Sequence, residues 1–374
     1  MKNIRGEFIE NAPIGTQSWF GCGGTADLLF KPADEADLQL FFKPPPPWGG
    51  GLGWGGAPVT RHPTPKTQYP TPKTQHPSPI TIIGGLANTI IRDGGLRGVT
   101  IRLGKAFSQI EVMDDHTIRA GCGALNGNVA AAAVKAGIGG FEFLSGIPGS
   151  LGGALRMNAG AYGAEIKDIL VEIHALDLAG NRYRLIPSMS SRPSAHSARV
   201  EGSDHLKRSL DYESDAFFAR DDNGGFEALE INLSYRNNDA PHYLIFTGAI
   251  LKGVKEDYDT VKSRITDIKS KRNATQPIKE KTGGSTFANP HPEELRKAGL
   301  PEDTRAWQIV EKVGGRGLSI GGAKMSEKHC NFMINTGNAT ASDLENLGDE
   351  IRARALNDLG LDLHWEIKRI GEKP

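Results

Sequence analysis

The apolar positions of the chain form short β-branched runs in its first half and helical periods further on. The β-branched runs predict strands at Ile80–Ile83, Val99–Leu103 and Thr117–Ala120. An alanine-rich stretch predicts a helix over Asn126–Ala136, and apolar residues at helical spacing predict another over Tyr258–Lys271.

The C-terminal part of the chain alternates helical segments with short strands. Helices are predicted at Thr304–Val313 and Ala341–Leu359, and strands at Phe332–Asn335 and Leu363–Ile370. Because this alternation is self-contained, we expect the C-terminal part to form an α+β region of its own.

Two segments depart from these periodic patterns. Residues 44–79 combine a proline run, a glycine- and tryptophan-rich stretch and two copies of a Pro-Thr-Pro-Lys-Thr-Gln repeat. Such a composition sustains neither strand pairing nor a packed helix, so it predicts an inserted loop, with a proline-rich docking segment as the alternative. Residues 190–227 are rich in Ser, Arg and Asp between strands predicted at Val171–Leu176 and Ala228–Leu233, which predicts a second, solvent-exposed insertion.

Composition and charge narrow the class of protein. The 374 residues include 44 Lys and Arg and 44 Asp and Glu, so the zero formal charge gives no support to a nucleic-acid partner. No apolar run approaches the roughly 18 residues of a membrane span, and the N-terminus lacks the apolar core of a signal peptide. The scattered Cys22, Cys122 and Cys330 predict packed residues, with no disulfide framework and no metal site. The cysteine usage therefore predicts a cytoplasmic protein. We also expect it to be a monomer.

Two glycine-rich segments carry the clearest chemistry. The segment Gly146–Gly163 has six glycines among eighteen residues, interleaved with apolar side chains that a flexible linker would lack. Exposed peptide N–H groups in such loops bind anionic oxygens. A similar segment, Gly84–Gly95, lies about sixty residues upstream, so the pair predicts one extended ligand such as a dinucleotide pyrophosphate. Neither segment has the spacing of a Rossmann motif or the lysine of a P-loop.

Together with five other motifs in order, these two loops resemble the UDP-N-acetylenolpyruvoylglucosamine reductase (MurB) family, and most closely its type II branch. The five motifs are Trp19–Ala26, Leu233–Arg236, Gly284–Pro290, Gly321–Phe332 and Trp365–Gly371. They extend over nearly all of the chain outside the two insertions.

The resemblance implies an α+β fold with FAD-binding architecture of the vanillyl-alcohol-oxidase type. Two FAD-binding subdomains would occupy residues 1–110 and 111–253, which contain the two insertions, and a substrate-binding domain would occupy residues 254–374. The implied reaction uses NADPH to reduce FAD. Hydride then passes to C3 of the enolpyruvyl group of UDP-N-acetylglucosamine-enolpyruvate, and a proton reaches C2. The product would be UDP-N-acetylmuramate, a peptidoglycan precursor.

The resemblance also implies roles for individual side chains. Arg236 matches an arginine that holds the substrate carboxylate, where negative charge accumulates after hydride addition. Glu366 matches a glutamic acid that donates to the same carboxylate in its protonated form, and Ser285 matches the serine that delivers the proton to C2. Asn289 matches a position that faces the substrate, and Lys368 stands where some members have an arginine near substrate phosphate.

Each of the three implied catalytic residues also has a structural interpretation when taken alone. Arg236 could be a surface arginine, Ser285 could satisfy backbone groups of its turn, and Glu366 could face solvent from an alternating strand. Two other functions also remain open for the whole chain: an FAD oxidase of the same fold, and an inactive or impaired flavin-binding relative.

The implied cofactor-binding residues come from both glycine-rich loops. They are Gly84, Gly85, Ala87, Asn88, Asp93, Gly94, Gly146, Ile147, Pro148, Gly149, Ser150, Gly153, Asn158, Ala159 and Gly160. The first loop departs from the usual Gly-x-Gly-Ser-Asn of the family at two positions. Leu86 replaces a glycine whose backbone would need a positive φ, at a cost of about 1 kcal/mol or more. Ala87 removes a hydroxyl that would contribute about 1–2 kcal/mol to binding of the pyrophosphate. We therefore predict weakened but measurable FAD binding.

Overall fold

The computed structural model describes residues 4–43, 79–188 and 226–374. The predicted insertions at 44–79 and 190–227 lie outside these residues, except at their ends. A strand begins at Glu227, one residue before the predicted start at Ala228, and Glu227 pairs with Tyr183 in a parallel register.

Contacts group the chain into two units rather than three consecutive segments. The first unit contains Met1–Phe8, Phe30–Gly84 and Ile101–Ile268, and the second contains Ile9–Leu29, Gly85–Thr100 and Lys269–Pro374. The division into two FAD-binding subdomains and a substrate-binding domain therefore stays a prediction about function.

The N-terminal elements form a four-stranded sheet and one helix. Strands β1 to β5 span Glu7–Ala12, Ala26–Lys31, Ile80–Ile83, Thr89–Ile91 and Leu96–Arg102, and the helix α1 spans Glu35–Phe42. The sheet order is β1-β2-β5-β3. Helix α1 begins where the Asp34 side chain accepts a hydrogen bond from the N–H of Asp37, which satisfies one of the free donors of its first turn.

The first unit is built on a six-stranded sheet in the order β13-β12-β11-β16-β7-β6. Its strands are antiparallel except for the parallel pair β12 and β13. The elements of this part are β6 (Ile110–Val112), β7 (Thr117–Gly121), α2 (Asn126–Lys135), β8 (Ile138–Gly139), α3 (Leu151–Arg156), β9 (Gly160–Ala161), β10 (Ala164–Glu165), β11 (Leu170–Leu176), β12 (Arg182–Pro187), β13 (Glu227–Ile231), β14 (Leu233–Ser234), β15 (Asn237–Asn238), β16 (Ile245–Lys252) and β17 (Val254–Lys255). Its core joins strand residues such as Ile173 and Leu251 to Val129 of α2 and Leu151 of α3.

The second unit contains a four-stranded antiparallel sheet in the order β18-β21-β20-β19, and β22 pairs in parallel with β4. The elements from α4 onward are α4 (Tyr258–Thr275), β18 (Lys281–Ser285), α5 (Pro292–Lys297), α6 (Ala306–Lys312), β19 (Ser319–Ile320), β20 (Ala323–Met325), β21 (Phe332–Asn335), α7 (Ala341–Leu359) and β22 (Lys368–Ile370). The long helix α7 buries Leu344, Leu347, Ile351 and Ala355, which lie on one face at helical spacing.

Most predicted elements are confirmed, three of them without any change of bounds: Ile80–Ile83, Phe332–Asn335 and Ala341–Leu359. The prediction of one strand over Leu363–Ile370 was wrong in its first half. Only Lys368–Ile370 forms a strand, because the preceding residues meet their neighbour through a single bridge between Phe287 and Trp365. Among the described residues, no helix is long and apolar enough to cross a membrane, and no cluster of His, Cys, Asp and Glu could hold a metal ion.

Candidate active site

In the first unit, the start of one glycine-rich loop lies against the other. A Cβ atom on Gly84 would lie 2.7 Å from the Ser150 hydroxyl oxygen, so a residue with a side chain at position 84 would force the two loops to shift. At Gly153 an added Cβ atom would meet nothing nearer than the same hydroxyl oxygen, at 3.9 Å. Small residues therefore line the backbone at Gly84 and Gly153, which leaves room for an anionic group such as the pyrophosphate of FAD to approach it.

The remainder of the second loop is fixed by internal hydrogen bonds. The carbonyls of Ile147 and Gly149 accept from the side-chain amide and the N–H of Asn126, at 3.4 and 3.1 Å. Ala159 donates its N–H to Ala154 at 2.8 Å and accepts from Ile166 at 3.0 Å. These bonds hold the backbone of the loop in one shape. The predicted FAD contacts of Gly146, Ile147, Pro148, Gly149 and Ala159 stay predictions.

Asn158 lies completely buried in this loop, with a φ of 40°. Its amide nitrogen donates to Glu165 at 3.0 Å and to the Ser234 carbonyl at 2.9 Å, and its amide oxygen accepts from the N–H of Lys167 at 2.9 Å. Both the nitrogen and the oxygen of the Asn158 side chain therefore bond protein groups.

Arg236 occupies the tight turn between β14 and β15 in the first unit. It is half-buried and has a φ of 55°, which is rare for a residue with a side chain. Its guanidinium donates to the Gly160 carbonyl at 3.0 Å and lies 5.3 Å from the ring centroid of the exposed Tyr235. The first unit thus brings Arg236 to Gly160 of the predicted flavin loop.

Arg156, in the helix of the second glycine-rich loop, was given no role by the sequence motifs and bonds the segment before β16. Its guanidinium donates to the carbonyls of Ala240 at 3.1 Å and Leu244 at 2.6 Å, and lies 3.9 Å from the ring centroid of Phe246. Burial lowers the pKa of Arg156 to about 10, so the group is charged at neutral pH. The one signal in the sequence is an arginine between two apolar residues of a glycine-rich loop.

In the second unit, Ser285 ends strand β18 at an irregular point of its pairing with β21. The register shifts between Thr282 and Ser285, and Ser285 lies opposite Phe332. Gly284 has a φ of 87°, which glycine adopts without strain. Such a bulge changes the direction of the next side chain and is common beside active sites. Ser285 is half-buried, as a proton donor to a bound substrate would be.

Glu366 lies beside the segment that follows Ser285. Its N–H donates to the carbonyl of Thr286 at 2.8 Å, and its own carbonyl accepts from the Asn88 amide at 3.1 Å. The neighbouring Trp365 donates its indole N–H to Asp349 of α7 at 3.1 Å, which fixes the direction of this segment. The second unit therefore brings Ser285, Glu366 and Asn88 together.

The two implied substrate-binding residues occupy different surroundings in this unit. The side-chain oxygen of Asn289 accepts from the N–H of Ala306 at 3.0 Å and thereby caps helix α6. Lys368 is exposed at the start of β22, and its N–H donates to the carbonyl of Asn88 at 3.0 Å. Contact of either side chain with substrate stays a prediction.

Asp93, predicted to bind the cofactor, holds the start of helix α7. Its carboxylate accepts from the N–H groups of Ala341 and Ser342 at 2.9 and 2.8 Å, and from the Ser342 hydroxyl at 2.7 Å. The adjacent Gly94 donates its N–H to the carbonyl of Glu372 at 3.0 Å. Both residues thus have structural partners, and their cofactor contacts stay predictions.

Replacing Asp93 with Ala should destabilise the protein, because two N–H groups at the start of α7 lose a charged acceptor. We expect the free energy of unfolding to fall by about 1–2 kcal/mol. Urea denaturation followed by circular dichroism measures this change. The matched control is Asp343→Ala, which removes a capping carboxylate of the same helix. An unchanged midpoint for Asp93→Ala would contradict the structural role.

Of the two unusual residues in the first loop, Leu86 has the backbone that the sequence indicated, and the effect of Ala87 on FAD binding stays a prediction. Leu86 has a φ of 52°, which confirms the expected left-handed backbone, and its carbonyl accepts from the N–H of Trp19 at 3.2 Å. Leu86 and Ala87 are both buried, whereas Gly85 is half-buried. Residue 86 therefore has the left-handed backbone that glycine favours, although it is a leucine.

Replacing Leu86 with Gly should relieve backbone strain in the fold, because glycine adopts a φ of 52° at no steric cost. Leu86→Ala is the matched control, since it loses the same buried side chain and keeps the strain. We expect Leu86→Gly to have a free energy of unfolding about 1 kcal/mol higher than that of Leu86→Ala. Urea denaturation followed by circular dichroism measures both values. A Leu86→Gly protein no more stable than Leu86→Ala would contradict the prediction.

The three cysteines confirm the expectation of packed, unpaired residues. Cys22, Cys122 and Cys330 are free and buried. Burial raises the pKa of Cys22 and of Cys330 to about 11 and also raises that of Cys122. All three are therefore thiols at neutral pH, which argues against a nucleophilic role.

Comparison with known proteins defines the class first. The family described as FAD binding domain matches residues 73–185. The family described as UDP-N-acetylenolpyruvoylglucosamine reductase, C-terminal domain, matches residues 276–370. The chain is thus an α+β protein with an FAD-binding domain, which confirms the predicted fold class.

Full-length relatives define the family. The UDP-N-acetylenolpyruvoylglucosamine reductases of Maricaulis maris and Rickettsia conorii are each 39% identical over 371 residues, which cover 99% of this chain and 94% and 98% of theirs. The crystal structure of the enzyme from Thermus caldophilus shares the fold, with a TM-score of 0.65 at 21% identity, over 98% of this chain and 99% of that one. The chain belongs to the UDP-N-acetylenolpyruvoylglucosamine reductase family.

Proposed function

We propose that this chain reduces the enolpyruvyl group of UDP-N-acetylglucosamine-enolpyruvate to UDP-N-acetylmuramate, with bound FAD as cofactor and NADPH as reductant. The observation that carries the proposal is the hydrogen bond from Glu366 to Thr286, which brings two motif residues of this family, Ser285 and Glu366, to neighbouring positions. The relatives that share 39% of the sequence are named for the same reaction, and none of them favours an oxidase.

The glycine-rich loops are the proposed cofactor site. The approach of Gly84 to Ser150 and the small residue at Gly153 support binding of the FAD pyrophosphate there. When bound, FAD supplies the hydride that C3 of the substrate receives. The pyrophosphate contacts orient the cofactor and add no chemistry of their own.

Three protein side chains would stabilise the negative charge and supply the proton. As C3 gains a hydride, electrons move toward C2 and the carboxylate. Arg236 would hold this carboxylate through its planar guanidinium, and protonated Glu366 would donate a further hydrogen bond to it. The Ser285 hydroxyl would give its proton to C2, which completes the addition of two hydrogens across the double bond.

A visible spectrum of the purified protein tests the cofactor, and anaerobic addition of NADPH tests the reductant. We expect flavin absorbance that bleaches with NADPH and returns when the UDP-sugar is added. Flavin that bleaches but never returns with substrate would favour an impaired relative. Flavin that is reduced by a different substrate and reoxidised by oxygen would favour an oxidase. A colourless protein that cannot be loaded with FAD would contradict the proposal.

We also propose that the protein acts in the cytoplasm as a monomer without a nucleic-acid partner. Three free cysteines support the cytoplasm, and equal numbers of acidic and basic residues support the absence of a nucleic-acid partner. Sedimentation at micromolar concentration with and without substrate tests the oligomeric state. A dimer that persists on dilution would contradict it.

A further inference from the structure

The hairpin that carries Arg236 is tied to the glycine-rich loop at more than one point. The Asn158 amide donates to the carbonyl of Ser234 at 2.9 Å, two residues before Arg236. Arg236 itself donates to the carbonyl of Gly160 at 3.0 Å, two residues after Asn158. The loop and the hairpin therefore exchange hydrogen bonds in both directions.

A further bond extends this connection. The Asn238 amide, at the other end of the hairpin, donates to the carbonyl of Leu155 at 2.9 Å. Asn238 is buried, so this bond is shielded from water. Both strands of the hairpin are thus held by the same loop.

Asn158 supplies the side-chain hydrogen bond from the loop to the hairpin. It is completely buried, and besides Ser234 it bonds only Glu165 and the N–H of Lys167 among the partners found in the described residues. Glu165 also pairs with the Lys167 ammonium at 3.0 Å, so the partners of Asn158 are themselves fixed. Because this buried amide is held by fixed partners, its hydrogen bond to Ser234 fixes where the hairpin lies relative to the loop.

We propose that Asn158 is a positioning residue for Arg236. By holding the carbonyl of Ser234 it sets the direction of the turn, and the turn sets where the guanidinium lies when it binds the substrate carboxylate. The inference rests on the proposed function and concerns the Asn158 side chain. The backbone of Asn158 keeps its predicted place in the FAD loop.

A double-mutant cycle with Asn158→Gly and Arg236→Ala tests the proposal. Glycine adopts the backbone of residue 158 without strain, so the change adds no backbone cost to the loss of the buried side chain and its bonds to Ser234, Glu165 and Lys167. We expect the single change to lower kcat/KM for the UDP-sugar by about tenfold or more, mainly through KM. In the Arg236→Ala background the same change should lower kcat/KM by less than about twofold. Flavin content is measured in each variant, and the loss in kcat/KM for the UDP-sugar should exceed any change in the rate of flavin reduction by NADPH.

Two further variants separate positioning from folding. Asn158→Asp keeps the acceptor for Lys167, but when ionised it donates to neither Ser234 nor Glu165 and places two carboxylates side by side. It should therefore show the same coupling to Arg236 together with a lower melting temperature. Asp177→Gly removes a buried side chain of the same unit that accepts from Ala179 and Asn181 at 2.8 Å each, in the turn between β11 and β12. It should lower the melting temperature without any coupling to Arg236.

The possible outcomes are distinct. Additive effects of Asn158→Gly and Arg236→Ala would overturn the positioning role, as would loss of bound flavin in either Asn158 variant, which would make the side chain a cofactor ligand. A wild-type protein that binds flavin but never turns over the UDP-sugar would overturn the proposed function, and the positioning role with it. If the wild type turns over the UDP-sugar and the effects of the two changes on kcat/KM are additive, only the positioning role is overturned.

Discussion

Replacing Ser285 with Ala should abolish turnover of the UDP-sugar while NADPH still reduces the flavin at the wild-type rate. The hydroxyl is the proposed source of the proton for C2, and loss of a positioned proton donor typically costs about 10²–10⁴-fold in rate. Reduction by NADPH needs no proton at C2, so that half-reaction should not respond. Stopped-flow spectroscopy follows the two half-reactions separately, through bleaching and recovery of the flavin absorbance.

The same strand supplies a matched control for this experiment. The Thr282 hydroxyl donates to the carbonyl of Met333 at 2.7 Å and is buried. Thr282→Val should therefore lower the free energy of unfolding by about 1 kcal/mol and leave both half-reactions intact. If Ser285→Ala and Thr282→Val slowed flavin reoxidation to the same degree, the proton would come from another group.

The parts of the fold that the sequence predicted well have signals close together in the chain. Helix α7 has apolar residues on one face and begins where the Thr340 side chain accepts from the N–H of Asp343. Both its start and its face can be recognised within twenty residues. The residues Leu363–Ile370 alternate like one strand, yet only Lys368–Ile370 has a strand partner, in β4. Alternation predicts an extended backbone and says nothing about whether a neighbour is present.

The candidate site also has features that the sequence predicted and contacts that it could not predict. The left-handed backbone of Leu86 was predictable because a glycine is usual at that place in the family loop. The bond of Asp93 to the start of α7 was not, because its partner Ala341 lies 248 residues further along the chain. The ties of Arg156 to Leu244 and of Asn158 to Ser234 also cross dozens of residues. Motif resemblance identifies such residues as important, whereas only the folded chain shows whether they bind the protein or a ligand.

Replacing Arg236 with Ala should lower kcat/KM for the UDP-sugar by about 10³-fold, because the substrate carboxylate would lose a charged, two-pronged partner as its negative charge grows. Arg236→Lys keeps the charge and loses the planar fork, so we expect a smaller loss of about tenfold to 10²-fold. Steady-state kinetics with varied UDP-sugar at saturating NADPH measures both values.

Backbone strain at residue 236 requires its own control, since a φ of 55° is rare for any side chain. Arginine, lysine and alanine share this cost, whereas Arg236→Gly relieves it. If strain rather than charge governed turnover, Arg236→Gly would exceed Arg236→Ala by a large factor in kcat/KM. We expect the two to be equally slow, with flavin reduction by NADPH unchanged in both. Wild-type kcat/KM in Arg236→Ala would show instead that another group binds the carboxylate.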